Sequence, residues 1–112
     1  MARVGDLELS VEELPRGGTL VRVSGELDLA TTPELEKALS ETDLVSPLVV
    51  DLTGCSFLDS SAVRVLLTTA RHAQDAGGGA SVVAPDPGIR RALEIAGVAT
   101  ILPIHTSLAA AL

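Results

Sequence analysis

The sequence predicts a single α/β domain, with elements in the order ββαβαβαβα and helices packed on a mixed, largely parallel sheet. Three observations predict it. Apolar spacing switches along the chain between the period of a strand and that of a helix. Each of the three clear helical stretches lies between two strand-like runs, and such units imply crossovers onto a parallel sheet. The chain has 112 residues, 46% of them hydrophobic, and no linker or internal repeat divides it. Residues 1–112 therefore read as one domain with one core.

Taken in order, Leu7, Leu9 and Val11 alternate with Glu8, Ser10 and Glu12, which predicts a strand. Pro15-Arg16-Gly17-Gly18 is a turn, and Leu20, Val21 and Val23 form a second strand ending at Gly25, so the two make a hairpin. A helix follows over roughly 32–43, with Leu35, Ala38 and Leu39 on one face. Its start is open by one residue. Pro33 at the first helical position makes Thr32 the cap, whereas a capping box to Glu34 favours Thr31. Leu48-Val49-Val50-Asp51-Leu52 is an apolar run broken by one acid, which fits a central strand buried on both faces. Residues 53–59 read as a loop.

A second helix is predicted over about 60–76, with Val63, Leu66, Leu67, Ala70 and Ala73 inward and Arg64, Thr68, Arg71 and Asp75 outward. Gly77-Gly78-Gly79 stops it. Residues 81–84 form a strand. Asp86 caps a third helix with Pro87 at its first position and Ile89, Ala92, Leu93 and Ala96 inward, ending at Gly97. Ile101 and Leu102 suggest a short last strand, and Thr106 caps a final stub over 107–112.

Composition excludes several functions. The formal net charge is −7, and Phe57 is the only aromatic residue. An acidic surface repels phosphate backbones and the chain has no stacking platform, so nucleic acid is not an expected partner. Cys55 is the only cysteine, so no internal disulfide forms. The opening residues Met1 to Asp6 reach a charge before any apolar run, unlike a signal peptide. No stretch approaches the ~20 apolar residues of a membrane span. A cytoplasmic protein, with no membrane partner, is expected.

No cofactor or metal site is expected either. The Gly77–Gly79 run follows a helix rather than a strand and lacks the lysine of a phosphate-binding loop. His72, His105 and Cys55 are too few for a standard zinc site. No catalytic residue is assigned. A serine hydrolase built on Ser60 needs a base about 3 Å from the hydroxyl. His72 lies roughly 18 Å along the same helix, and no nucleophile elbow surrounds the serine.

The informative stretch is Asp51 to Val63, where a buried strand ends and an acid and two serines open a helix. It places a hydroxyl at the C-terminal edge of a parallel sheet, where open α/β folds hold their sites. Asp59 or Ser60 also reads as an ordinary N-cap. The two readings are compatible. A phosphate there adds about −1.5 to −2 charges and meets the free N–H groups of the first turn.

Phe57-Leu58-Asp59-Ser60-Ser61-Ala62-Val63, after Val49-Val50-Asp51-Leu52, resembles the phosphorylation segment of STAS-domain anti-sigma-factor antagonists. Gly25-Glu26-Leu27-Asp28 resembles the loop after that family's second strand, and the layout from Val82 to His105 also matches. The resemblance covers nearly the whole chain and implies a STAS-like fold. It further implies that an anti-sigma factor with serine kinase activity phosphorylates Ser60. The unmodified chain then binds that factor and frees a sigma factor, and a phosphatase acting on the phosphoserine resets the switch. Asp28 matches a family acid near the modified hydroxyl.

Partner contacts are expected from Asp28, Asp59, Ser61, Ala62, Arg64 and Thr68. Asp28 and Asp59 also read as loop acids or caps, and Arg64, Thr68 and Arg71 also read as a solvated helix face. The family usually has glycine where this chain has Ala62. Alanine favours a helix by about 1 kcal/mol over glycine, and its methyl is expected to stand in the path of an approaching partner backbone. Ala62 also keeps a second function in view, an unphosphorylated STAS subunit of a transporter or stress-sensing assembly.

Overall fold

A computed structural model of the chain describes Arg3, Val4 and residues 7–112. The reading of Met1, Ala2, Gly5 and Asp6 as no signal peptide lies outside the described residues. The strands are β1 (Arg3–Val4), β2 (Leu7–Glu13), β3 (Thr19–Leu27), β4 (Leu48–Leu58), β5 (Ala80–Val83) and β6 (Ile104–His105). The helices are α1 (Thr32–Ser40), α2 (Ser60–Ala76), α3 (Pro87–Ile95) and α4 (Leu108–Ala111), with a 3-10 turn at Val98–Thr100.

The described strands form one six-stranded sheet in the order β1-β2-β3-β4-β5-β6. The β1–β2 and β2–β3 pairs are antiparallel; β3–β4, β4–β5 and β5–β6 are parallel. Parallel strands that follow one another across the sheet always step the same way. Crossovers of one hand then stack their helices on one face. Leu35 and Leu39 of α1, Leu66 and Ala70 of α2 and Ile89 and Leu93 of α3 accordingly share one core with Val21, Val50, Leu52 and Val82. The opposite face is covered only in part. There Leu20, Val49 and Val83 are buried under Leu14, Leu108 and Ala111, so the short α4 is held by this packing.

β4 is central, and all five residues from Leu48 to Leu52 are buried. Its acid is satisfied locally: the Asp51 carboxylate accepts the Thr53 amide at 3.0 Å and the Thr53 hydroxyl. That lets a polar residue stand in a buried strand.

Several boundaries differ from those the sequence predicts. β3 does not end at Gly25, and residues 53–58 are strand rather than loop. The two strands pair out to Leu27 and Leu58 through register shifts between Arg22 and Ser24 and between Gly25 and Glu26. Gly25, at φ 109°, supplies a backbone conformation that other residues avoid. α1 ends at Ser40 rather than near 43. The last strand is not Ile101–Leu102. Leu102 is buried in the core instead, and the chain pairs with β5 only after Pro103. Ser107, not Thr106, caps α4 and accepts from Ala110 N. The inward face of α2 is rotated: Ala62, Val65, Leu66, Thr69, Ala70 and Ala73 are buried, while Val63 and Leu67 are only half-buried. The helix meets α1 as well as the sheet. The bounds of α2 and the caps Asp59 and Asp86 agree with expectation.

Candidate functional site

The site forms where β3 and β4 end together. Leu27 and Leu58 are register partners, and the Asp59 amide donates to the Leu27 carbonyl at 3.0 Å. The two chains leave the sheet side by side, one into the loop before α1 and the other directly into α2. Both helix N-termini therefore stand at the C-terminal edge of the parallel strands.

Asp59 is the N-cap of α2, in extended backbone geometry. Its Oδ1 accepts from the Ser61 amide at 2.9 Å, from the Ala62 amide at 3.4 Å and from the Ser61 hydroxyl. The Ser61 hydroxyl is the main reason its carboxyl is held below the usual carboxylate range. Partial desolvation opposes this, and the amides of Ser61, Ala62 and Leu29 add to it. Ser61 Oγ also lies 3.0 Å from Thr32 Oγ1, at the start of α1. Ser61 has one hydroxyl proton. With that proton on the carboxylate, Ser61 accepts from the Thr32 hydroxyl, and the three side chains form a chain of hydrogen bonds across the two helix starts.

Ser60, the first residue of α2, differs from its neighbour. It is exposed, and its hydroxyl makes no hydrogen bond among the described residues. The site corrects two expectations. The first-turn amides of Ser61 and Ala62 are already taken by Asp59, so they are not free to hold a phosphate on Ser60. Ala62 is fully buried, with its methyl in the core, so it offers no surface to a partner.

Asp28 is half-buried and folds its own loop. Its Oδ1 accepts from the Ala30 amide at 2.9 Å and the Thr31 amide at 3.1 Å. Thr31 Oγ1 donates to the Glu26 carbonyl at 2.7 Å and accepts from the Asp28 amide at 2.9 Å. Thr31 is thus the residue before the helix, but neither capping pattern read from the sequence forms: its side chain makes no cap bond, and Pro33 is the second helical residue rather than the first.

Arg64 and Thr68 are exposed on α2 beyond Ser60, and Arg64 has no ion-pair partner among the described residues. Thr68 lines an open groove between α1 and α2 with Glu36, Lys37 and His72. His105 pairs with Val83, which is level with Asp51, and β4 runs on from there to Leu58. At about 3.3 Å per residue this puts His105 on the order of 20 Å from Ser60, too far to serve as its base.

Sequence reasoning missed Thr32 and the exposure of Leu29. Thr32, read from the sequence only as a candidate cap, is 5% exposed and becomes part of the site only through contact with Ser61. Leu29 is 80% exposed and Phe57 46% exposed, beside the two acids. Among the described residues no group of three His, Cys, Asp or Glu side chains is placed to hold a metal ion, and no helix is long and apolar enough to cross a membrane.

Residues 8–111 match the STAS domain family profile. The chain is 31% identical to an anti-sigma F factor antagonist of Paenibacillus polymyxa over 103 residues, covering 88% of each chain. It is 30% identical to the anti-sigma-F factor antagonist RsfA of Mycobacterium tuberculosis, covering 83% of this chain and 76% of the other. The fold is similar to the crystal structure of an anti-sigma factor antagonist from Mycobacterium paratuberculosis. That likeness has a TM-score of 0.85 at 33% identity and covers 94% of this chain and 90% of the other.

Proposed function

The chain belongs to the STAS domain family, and from that premise we propose that it is an anti-sigma-factor antagonist switched by phosphorylation of Ser60. It binds an anti-sigma factor that is also a serine kinase, and so regulates how much sigma factor is free. The chain is the kinase's substrate and not a catalyst; ATP and magnesium belong to the partner, and a phosphatase acting on the phosphoserine restores binding. Its place is the cytoplasm, where transcription is regulated.

One observation carries the proposal: the Ser60 hydroxyl is exposed and makes no hydrogen bond among the described residues, at the edge where two helix starts meet. A partner reaches that oxygen without disturbing the fold. The names of relatives at 30–33% identity support the same function.

The surroundings explain how a phosphate would act. Asp28 and Asp59 lie in the same pair of loops, and Leu29 and Phe57 offer apolar contact beside them. A phosphate adds about −1.5 to −2 charges to this edge, and the Ser61 and Ala62 amides that would offset it are already taken by Asp59. A partner seated on Leu29 and Phe57 then meets a strongly negative field, and it lets go. Arg64, one turn along, is the cation nearest in sequence on the same helix.

The test is a pull-down of the anti-sigma partner by wild type, Ser60→Ala and Ser60→Asp, with intact mass measured after incubation with that partner and ATP. The expected result is retention by Ser60→Ala, weak binding by Ser60→Asp and a phosphate mass shift only where Ser60 is present. Equal binding by both variants refutes the switch. The second function, an unphosphorylated subunit, drew its support from a methyl at Ala62 in a partner's path; that methyl is buried in the core.

A further inference from the structure

Two serines stand side by side at the start of α2, and the fold treats them differently. We propose that the hydrogen-bond chain Asp59–Ser61–Thr32 is a selectivity lock, which withholds Ser61 from modification and leaves Ser60 as the acceptor. This rests on the phosphorylation reading above and adds the residue that decides between the two hydroxyls: Thr32, a positioning residue on another helix.

A hydroxyl that receives a phosphoryl group must aim a lone pair at the phosphorus and give up its proton. The Ser60 oxygen bonds to the γ-phosphorus of ATP, the bond from that phosphorus to the β–γ bridging oxygen breaks, ADP leaves and the hydroxyl proton passes to a base of the kinase. Ser60 Oγ is free for each part of this step.

Ser61 is not. Its proton points at Asp59 Oδ1 and one of its two lone pairs receives the Thr32 hydroxyl at 3.0 Å. Thr32 is itself 5% exposed, so its hydroxyl has little solvent to turn to if Ser61 leaves. A phosphate on Ser61 would also stand against the Asp59 carboxylate, which accepts two amides and the hydroxyl together. Like charges at that distance oppose each other strongly. A phosphate on Ser60 displaces none of these bonds.

The lock is tested in the full chain by genetic incorporation of phosphoserine at position 60 or 61, followed by thermal unfolding. Phosphoserine at 60 should leave the midpoint nearly unchanged, while at 61 it should lower the midpoint by about 10 °C or prevent folding. Equal midpoints overturn the proposal. A second arm uses the kinase partner with ATP and maps the phosphate by tandem mass spectrometry. Ser60→Ala should stay unlabelled. Ser60→Ala with Thr32→Val should gain phosphate on Ser61, and Thr32→Ser in place of Thr32→Val should abolish it again. Phosphate on Ser61 of the unaltered chain overturns the lock. A kinase arm in which no protein is labelled refutes the Ser60 switch instead, and the two midpoints still decide the lock.

Discussion

Removing the carboxylate of Asp59 is the most direct probe of how the site is held. The side chain caps α2 by accepting the Ser61 and Ala62 amides and also holds the Ser61 hydroxyl. Loss of an N-cap costs about 1 kcal/mol, within a range of about 0.5–2. Freeing the Ser61 hydroxyl from a charged acceptor adds up to about 1 kcal/mol more, since that hydroxyl is only half-buried and water replaces part of the bond. Asp59→Ala should therefore lose about 2 kcal/mol, and Asp59→Asn, which keeps one acceptor oxygen, about half of that. At about 4 °C per kcal/mol for a chain of this size, Asp59→Ala should melt about 8 °C lower.

The pH dependence follows from the direction of the Asp59 shift. Hydrogen bonds, from the Ser61 hydroxyl first, hold its folded pKa below the unfolded value of about 3.9. The unfolded chain thus takes up this proton first as pH falls. The stabilisation is complete above the unfolded pKa and disappears as pH drops through the folded one. Urea unfolding followed by circular dichroism at a series of pH values should show a constant gap between wild type and Asp59→Asn from pH 7 to about 5, closing below about 4. An unchanged midpoint for Asp59→Ala at pH 7, or a gap that stays constant down to about pH 2.5, would refute the capping geometry.

Three further outcomes are expected. Gly78→Ala should destabilise by more than about 2 kcal/mol in urea unfolding, because an added Cβ would stand 2.3 Å from the Ser46 carbonyl oxygen and 2.4 Å from that of Leu44, neither of which can swing away. A wild-type midpoint would mean that the turn after α2 is not packed on the loop before β4. Leu93→Ala empties a fully buried position under α3 and should cost about 2–5 kcal/mol by the same assay; a loss under about 1 kcal/mol would place that helix off the core. Burial pushes the Cys55 thiol up from its usual range, so a disulfide reagent at pH 8 should label it only after denaturant is added; rapid labelling of the folded chain contradicts its buried place.

Much of this molecule is written in local patterns. The repeat from Val63 to Ala73, the acid and serines before it and the glycine run after it marked where α2 lies, since each signal acts within a turn or two, though not which face turns inward. The run from Leu48 to Leu52 marks the central strand, and Asp59-Ser60-Ser61 marks the edge where the site lies. Long-range pairing decided the rest. β4 reaches Leu58 only because β3 supplies partners as far as Leu27, and a bulge at Gly25 keeps the two in step. The last strand begins after Pro103 because Leu102 is claimed by the core before the chain reaches β5.

The same division runs through the two serines. Adjacent and chemically identical in the sequence, they are told apart by Asp59, two positions before Ser61, and by Thr32, which is 29 positions away and meets only that serine. The sequence by itself determined that a hydroxyl opens the second helix, because caps and periodicity are properties of neighbouring residues. Tertiary structure alone supplied the second hold on Ser61, because a hydrogen bond between two helix starts exists only once the sheet has brought them together.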